Sequence, residues 1–469
     1  MIHCFSIGSK NIVLDVNSGA LHIVDDTAFD VLKKIASVSL PPSRQCGQFC
    51  NDGWGGLALL DTIAPNDVKV EIRALIEAGQ LFAPEVATDI HTHMESRRPV
   101  IKALCLHIAH ECNLRCAYCF AGQGNYSETD RGFMSAEIGK KALDFLIENS
   151  GTRHNLEVDF FGGEPMLNFD VVKEIVAYGR SREVTAGKKF RFTLTTNGAF
   201  LSAENIEYIN ANFDNVVLSL DGRKHVNDHM RKFPTGGDSS YERILPQIKA
   251  LANARGHKNY YIRGTYTRHN TDFAADVLHL ADVGFKNISV EPVVAPPSSD
   301  YSIREEDLPT LFAEYEKLAH KLLNREEDGR GVFFFHFEMD ITGGPCIAKR
   351  VTGCGAGSEY LAVTPSGKLY PCHQFVGDEK FLIGDVFTGI RQNEMTQDFA
   401  SCHVFTKPEC ANCWAKFYCS GGCIATAHYA NNSILKPDKI SCDLMRKRIE
   451  CALYVFVMRD SKKHGFENR

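Results

Sequence analysis

Between residues 99 and 330 the chain alternates six times between a short strand-like run and an amphipathic helical pattern, and this alternation limits the fold more than any other feature. The strand-like runs are VIKALCLHIAH (100–110), LEVDFF (156–161), FRFTLTTN (190–197), NVVLSLD (215–221), YYIRGTYT (260–267) and NISVEPVV (287–294). Helical patterns fall between them: SAEIGKKALDFLIENS, DVVKEIVAYGRSR, AENIEYINA, YERILPQIKALANAR and DFAADVLHLADVG. Strands separated by helices close most simply as a parallel sheet with right-handed crossovers. Six units fall short of the eight of a closed barrel. The expected class is therefore α/β, a partial (β/α)6 TIM-like barrel with its chemistry at the C-terminal strand ends.

The flanks differ from this middle. Residues 1–92 contain two β-rich runs, NIVLDVN and ALHIVD, joined by Ser18-Gly19 as in a hairpin. Two helical patterns follow, TAFDVLKKIASV and NDVKVEIRALIEAG, separated by a loop-like stretch at 40–56. Strands followed by helices in so few residues suggest a winged-helix-like module; the plainer reading is an N-terminal decoration of the middle domain. Residues 340–450 are rich in Gly and Cys and poor in periodic segments, and residues 443–469 form a closing helix and tail.

The chain carries 17 cysteines in 469 residues, with 44% hydrophobic and 23% charged residues and a net charge of −6. The balance is that of a globular protein, and it lacks the basic excess of a nucleic-acid binder. Residues 1–20 lack the basic-then-apolar pattern of an export signal, and no run approaches roughly 18 apolar residues. A cytoplasmic protein with no membrane span is expected. Thiols stay reduced there, and closely spaced cysteines then favour metal over disulfides.

Cys112, Cys116 and Cys119 form CxxxCxxC just after the first strand. Three thiolates from one loop suit an iron–sulfur cube and leave its fourth iron open, whereas structural zinc takes four protein ligands. Gly162-Gly163-Glu164-Pro165 follows the second strand, Thr195-Thr196-Asn197-Gly198 the third and Ser219-Leu220-Asp221-Gly222 the fourth, with Arg231 beyond. In these motifs residues 100–295 resemble the radical S-adenosylmethionine (SAM) superfamily. The resemblance implies that Cys112, Cys116 and Cys119 hold a [4Fe–4S] cluster whose open iron is chelated by SAM. It places Tyr118 against the adenine, Gly163 of the Gly162-Gly163 pair and Glu164 at the SAM amine, and Ser219 and Arg231 around ribose and carboxylate. Asn197 is a further polar candidate, and Arg263 competes with Arg231 for the carboxylate. The implied chemistry is reductive cleavage of SAM to a 5′-deoxyadenosyl radical that abstracts hydrogen from an unactivated carbon.

Farther on, Cys354 opens C-x12-G-x4-C, ending at Cys372. Then come Cys410, Cys413, Cys419 and Cys423 as C-x2-C-x5-C-x3-C, and finally Cys442. This resembles the SPASM domain, a twin-cluster extension of peptide-modifying radical SAM enzymes. The resemblance implies Cys354, Cys372 and Cys423 for auxiliary cluster I, and Cys410, Cys413, Cys419 and Cys442 for auxiliary cluster II, making three [4Fe–4S] clusters in all. Cys346 is either a fourth ligand of cluster I or leaves it an open iron. A zinc ribbon is the alternative for the CxxC portion. Cys4, Cys105, Cys402 and Cys451 read as buried small hydrophobes, and Cys46 and Cys50 as loop residues without a metal. Relatives that make formylglycine in sulfatases carry Asp directly after the cysteine matching Cys372; here it is His373, a departure that argues against that activity.

The pattern NIVLDVNSGALHIVDDTAFDVLKKI resembles the PqqD-like elements of ribosomal peptide maturation, which hold a precursor's leader as an added strand. With GCGAGSEYLAVTPSGKLYPCHQF, the whole chain resembles the maturases of six-cysteine (SCIFF) peptides. The resemblance implies thioether formation between a Cys sulfur and a carbon of another residue in a Cys-rich precursor. It also implies an external electron donor such as flavodoxin or ferredoxin. Formylglycine formation or carbon–carbon crosslinking is the alternative within enzymes, and an iron–sulfur electron carrier the alternative outside them.

Overall fold

The computed structural model describes residues 1–38, 55–84, 90, 94, 99–126, 131–339, 346–391 and 394–464. Cys46, Cys50 and most of the loop expected at 40–56 lie outside the described residues.

The chain opens with an antiparallel sheet of β1 (Ile2–Ile7), β2 (Lys10–Asp15) and β3 (Leu21–Val24) in that order. The Ser18-Gly19 hairpin forms as expected. Asp15 Oδ1 accepts the Asn17 and Ser18 amides at 3.1 and 2.8 Å, and Gly19 turns through φ 78°, a region open to Gly without steric cost. β1 was not anticipated. Helices α1 (Asp26–Val38), α2 (Gly55–Ile63) and α3 (Asn66–Glu77) cover one face of this sheet, where Ile2 and Val13 meet Leu32, Ile35 and Ile72. The other face is no more exposed: Phe5, Ile7, Ile12 and Leu14 belong to the main core of the molecule. His3 adds a polar tie, stacking on Trp414 at 3.7 Å and bonding Glu450 at 3.0 Å.

The central sheet is built on six parallel strands: β4 (Ala103–His110), then, beyond the short β5 (Arg115–Cys116) and β6 (Gly132–Phe133), β7 (Asn155–Gly162), β8 (Lys189–Thr196) and β9 (Asn215–Ser219), and, past β10 (Arg231–Lys232), β11 (Asn259–Tyr266) and β12 (Asn287–Pro292). They lie side by side in chain order, each parallel to the next. β13 (Phe333–Phe334) adds at the β12 edge. At the β4 edge the sheet does not stop. β14 (Tyr360–Val363) pairs parallel to β4, and β15 (Lys368–Tyr370), β16 (Gly384–Asp385) and β17 (Gly389–Ile390) continue antiparallel. The Cys-rich region is thus joined to the middle domain by backbone hydrogen bonds. Among the described residues β13 and β17 end the sheet without meeting.

Side chains alternate across a strand, and here the alternation sorts packing from chemistry. Leu104, Leu106, Val158, Phe160, Phe192 and Leu218 face the helices and join Leu143, Val172, Ile175 and Ile248 in one apolar core. The opposite face carries His107, Asp159, Phe161, Thr195, Ser219, Arg263 and Glu291. The register sets His107 beside Phe161, and Arg263 beside both Ser219 and Ser289. Within the middle domain two helices went unforeseen, Lys224–Met230 and Leu308–Glu327. The second packs on the closing helix Lys439–His464, where Leu311, Tyr315 and Leu318 meet Ala452, Leu453 and Val455. Arg459 of that closing helix pairs with Glu338 at 2.9 Å. No helix of the described residues is long and apolar enough to cross a membrane.

Candidate functional site

The loop after β4 brings Cys112, Cys116 and Cys119 together. Pairing of β5 with β10 sets Arg231 opposite Cys116. Backbone amides reach the sulfurs: Leu114 N–H donates to Cys112 Sγ at 3.4 Å and Gln123 N–H to Cys119 Sγ at 3.3 Å. Burial pushes the Cys112 thiol up to about 11 and the Cys116 thiol to about 12, and both feel the Cys119 thiol beside them. Iron binding would have to displace these protons.

Around this loop the polar side chains are held by one another. Tyr118 Oη donates to both Asp221 oxygens, at 2.8 and 2.7 Å, and accepts from Arg231 Nη1 at 3.0 Å. Arg231 is 7% exposed, yet its Nε has no hydrogen-bond partner. A buried guanidinium with an unspent donor suits an anionic ligand such as the SAM carboxylate. Arg263, the competing cation, is engaged with Glu291. Asp221, quoted above only as part of a motif, is fully buried and also accepts Thr265 N–H at 3.1 Å.

Glu164 lies at the end of β7 and is 1% exposed. Its carboxylate accepts Met166 N–H at 3.1 Å, the Thr196 hydroxyl at 2.7 Å and Asn197 N–H at 2.8 Å. A carboxylate has about four lone-pair sites, so one is left for a ligand. The two glycines before it permit close backbone approach. A Cβ on Gly163 would stand 2.1 Å from Glu111 O, and Gly162 has φ 121° with Ala109 O 2.4 Å from its Cβ position. Gly163 N–H is spent on Ala109 O at 2.7 Å, which leaves its carbonyl, the correct polarity for an ammonium. Ser219 stands half-buried at the end of β9. Asn197 turns its amide toward Asn113 Oδ1, 2.7 Å away.

The second thiol set comes from three segments. Cys372 is buried just after β15, and its thiol is raised by burial and by Cys423 and Cys354 nearby. The third set, Cys410, Cys413, Cys419 and Cys442, lines one cavity with Lys416, Met445 and Arg446. Burial pushes Cys410 up to about 11 and Cys442 to about 12, and Cys442 feels the other three thiols. Cys346 stands exposed at the start of helix Ile347–Thr352. Cys105, Cys402 and Cys451 are buried as expected, whereas Cys4, on β1, is only half-buried. Among the described residues no three His, Cys, Asp or Glu side chains form a group that could hold one metal ion. A cluster spreads its thiolates wider than an ion does, so the fit rests on thiols sharing one loop or one cavity.

Sequence reasoning missed what lies between the first two sets. His107 and His110 are buried and hydrogen-bonded, Nδ1 to Nε2, at 3.0 Å. Tyr126 stacks on His110 at 4.5 Å, and Phe161 and Phe120 lie 5.2 and 5.3 Å from His373. Tyr360 Oη meets His373 Nδ1 at 3.1 Å and hydrogen-bonds the Cys105 thiol. Burial pushes His373 down to about 4 and keeps it neutral. The signal available in sequence was a pair of histidines in the otherwise apolar run ALCLHIAH.

Residues 106–301 match the radical SAM superfamily, and residues 354–414 match the SPASM iron–sulfur cluster-binding domain. Both domains are present in the chain. A radical SAM cyclopropyl synthase, TigE, of Paramaledivibacter caminithermalis is 24% identical over 373 residues, which cover 74% of this chain and 72% of that protein. Among solved structures, native anSMEcpe with bound AdoMet and the Cp18Cys peptide superposes with a TM-score of 0.62 at 19% identity, over 76% of this chain and 99% of that one. Streptococcus suis SuiB bound to precursor peptide SuiA superposes with a TM-score of 0.52 at 15% identity, over 94% of this chain and 98% of that one. At such identities these likenesses show the fold: an α/β radical SAM fold with a C-terminal SPASM domain.

Proposed function

We propose that this chain is a radical SAM peptide maturase that joins a Cys sulfur to a carbon of an acceptor residue within a ribosomally made, Cys-rich precursor. One observation carries the reading: β4 and β14 share a ladder, so Cys372 and His373 stand over the same sheet face as His107 and Phe161, beside the Cys112 loop. A peptide lying on that face meets both thiol sets at once.

The assignment of parts follows. Residues 99–330 hold SAM, with Cys112, Cys116 and Cys119 around one cluster, Arg231 on the carboxylate, the Gly163 carbonyl and Glu164 near the amine, Ser219 near the ribose and Tyr118 near the adenine. Residues 340–450 hold two auxiliary clusters on the Cys354 and Cys410 sets. Residues 1–92 take the leader along the β3 edge, which pairs only with β2 among the described residues. When bound, the SAM-site cluster and SAM supply a 5′-deoxyadenosyl radical that removes hydrogen from an unactivated carbon. Arg231 fixes the charge at one end of SAM, and the Tyr118–Asp221 bond keeps that guanidinium in place. Phe120 and Phe161 keep water from the reacting carbon. His373, its Nδ1 taken by Tyr360, offers Nε2 to the proton of the substrate thiol. An external reductant such as flavodoxin or ferredoxin supplies the electron that enters, and the one electron released as the carbon–sulfur bond forms would leave through a cluster held by the Cys354 set.

The test is anaerobic co-expression with a Cys-rich candidate peptide, followed by mass spectrometry. A thioether removes two hydrogens per bridge and makes one thiol resistant to alkylation. The relative named a cyclopropyl synthase favours a second reading, carbon–carbon bond formation, which also removes two hydrogens but leaves every thiol open to alkylation. Formylglycine would exchange sulfur for oxygen. Unchanged peptide mass together with no 5′-deoxyadenosine would overturn every one of these.

A further inference from the structure

Asn197 stands at a junction that its motif alone does not explain. Its backbone N–H is held by Glu164 Oε2 at 2.8 Å, and Glu164 is held in turn by Thr196 and Met166. The side chain is 6% exposed. Its Oδ1 accepts Ala199 N–H at 3.0 Å, which fixes which end of the amide is which. Nδ2 must then face the cysteine loop. Nδ2 donates to Asn113 Oδ1 at 2.7 Å, and the same nitrogen lies 3.9 Å from Cys112 Sγ, within reach of a second, longer bond to sulfur. A flipped amide would set Oδ1 against Asn113 Oδ1 and lose the Ala199 bond as well.

We infer that Asn197 is a positioning residue for the Cys112 sulfur, its amide donating toward that sulfur and raising the reduction potential of whatever cluster the sulfur carries. The inference rests on the reading that Cys112, Cys116 and Cys119 hold a cluster. Its physical basis is general: a donor near a ligating sulfur stabilises the extra negative charge of the reduced state, and potentials follow hydrogen bonds to the sulfurs. The sulfur already receives Leu114 N–H, so the Asn197 amide is a second donor on one atom. The same geometry runs from Glu164 to the Cys112 sulfur: the acid sets the Asn197 backbone, and the Asn197 amide faces Cys112 Sγ. Asn197 is thereby assigned to the metal side of the site and not to SAM.

The test is an EPR-monitored redox titration of the anaerobically reconstituted full chain, following the cluster whose spectrum changes when SAM is added. Asn197→Asp keeps the shape and the Ala199 contact but replaces the donor with a carboxylate oxygen; Asn197→Ala removes the group. Both are expected to lower the midpoint potential, so that the reduced-to-oxidised ratio at fixed potential falls about tenfold, 59 mV for a one-electron couple. Iron content and SAM affinity are expected to hold. Asn113→Leu leaves the amide free to reach sulfur and is expected to shift the potential less. An unchanged potential in Asn197→Asp overturns the inference, as does loss of SAM affinity at unchanged potential, and so does an equal shift in Asn113→Leu. If no cluster of the wild-type protein responds to SAM, the reading beneath the inference has failed, an outcome visible before any variant is made.

Discussion

Tyr118 and Asp221 are joined by a hydrogen bond shared between both carboxylate oxygens, with Arg231 donating to the same phenol oxygen. The three residues come from the cysteine loop, the end of β9 and β10, so one buried knot fixes the position of the loop. Removing one member of such a buried set leaves the others unpaired. Asp221→Ala is expected to cost about 3 kcal/mol of stability and to lower iron occupancy at the Cys112 set. Asp221→Asn, which keeps an acceptor for Tyr118 and Thr265, is expected to cost less. Thermal melting and iron analysis of the two variants check this, and equal losses would show that charge at this position matters more than hydrogen bonding.

The three thiol sets are expected to separate by function. Cys112→Ala should abolish 5′-deoxyadenosine formation. Cys372→Ala should leave SAM cleavage in place and stop peptide crosslinking. Chromatography of the nucleoside product alongside peptide mass measures both, and persistence of crosslinks in Cys372→Ala would make the second set structural.

At the β3 edge, Ile23 is 42% exposed and stands on a strand that pairs on one side only among the described residues. A leader adding there would cover this side chain, worth about 1.5 kcal/mol or roughly tenfold in affinity. Ile23→Asp is expected to weaken leader binding by that factor, read by fluorescence anisotropy, while SAM cleavage without peptide stays at the wild-type rate. Unchanged leader affinity would move the leader to another surface.

Asp159 sits on the inner sheet face beside Thr193, and burial, with Glu157 adding to it, raises its carboxyl from 3.8 to about 6. Below pH 4 the group is protonated both folded and unfolded. Between pH 4 and 6 only the folded chain keeps the proton, so stability falls as pH rises through that window, and above it the penalty is constant. Asp159→Asn removes the penalty. Its melting temperature is expected to exceed the wild-type value at pH 7 and to converge on it near pH 4. A difference independent of pH would mean that the carboxyl is not shifted.

Six strands and the helices between them were legible because each carries its own signal: apolar runs rich in Val, Ile and Phe, broken by Gly and Asn. The three cysteine sets were legible as spacings. β1 was not, since IHCFSI at the start of the chain has two polar side chains and no turn before it. The helix Leu308–Glu327 has a clear period, but it follows the last expected β/α unit, where nothing in the sequence asks for another element. Least legible were the long-range pairings. Nothing local tells Tyr360 to lie beside Ala103, or Arg231 to lie opposite Cys116. Those two registers decide what the site contains: one brings His373 over Phe161, and the other turns the buried knot toward the cysteine loop.

The parallel seam between Ala103–Leu106 and Tyr360–Val363 has a mechanical consequence. Two lobes joined by a linker can drift, so the span between their redox sites fluctuates. Lobes stitched edge to edge cannot drift without tearing a ladder, so the span between the Cys112 loop and Cys372 is inherited from the sheet. The stitch also hides a raw strand margin. Parted here, the central lobe would present β4 as a naked, apolar border, the kind that recruits neighbouring chains into aggregates; the two lobes are companions in solubility as much as in chemistry.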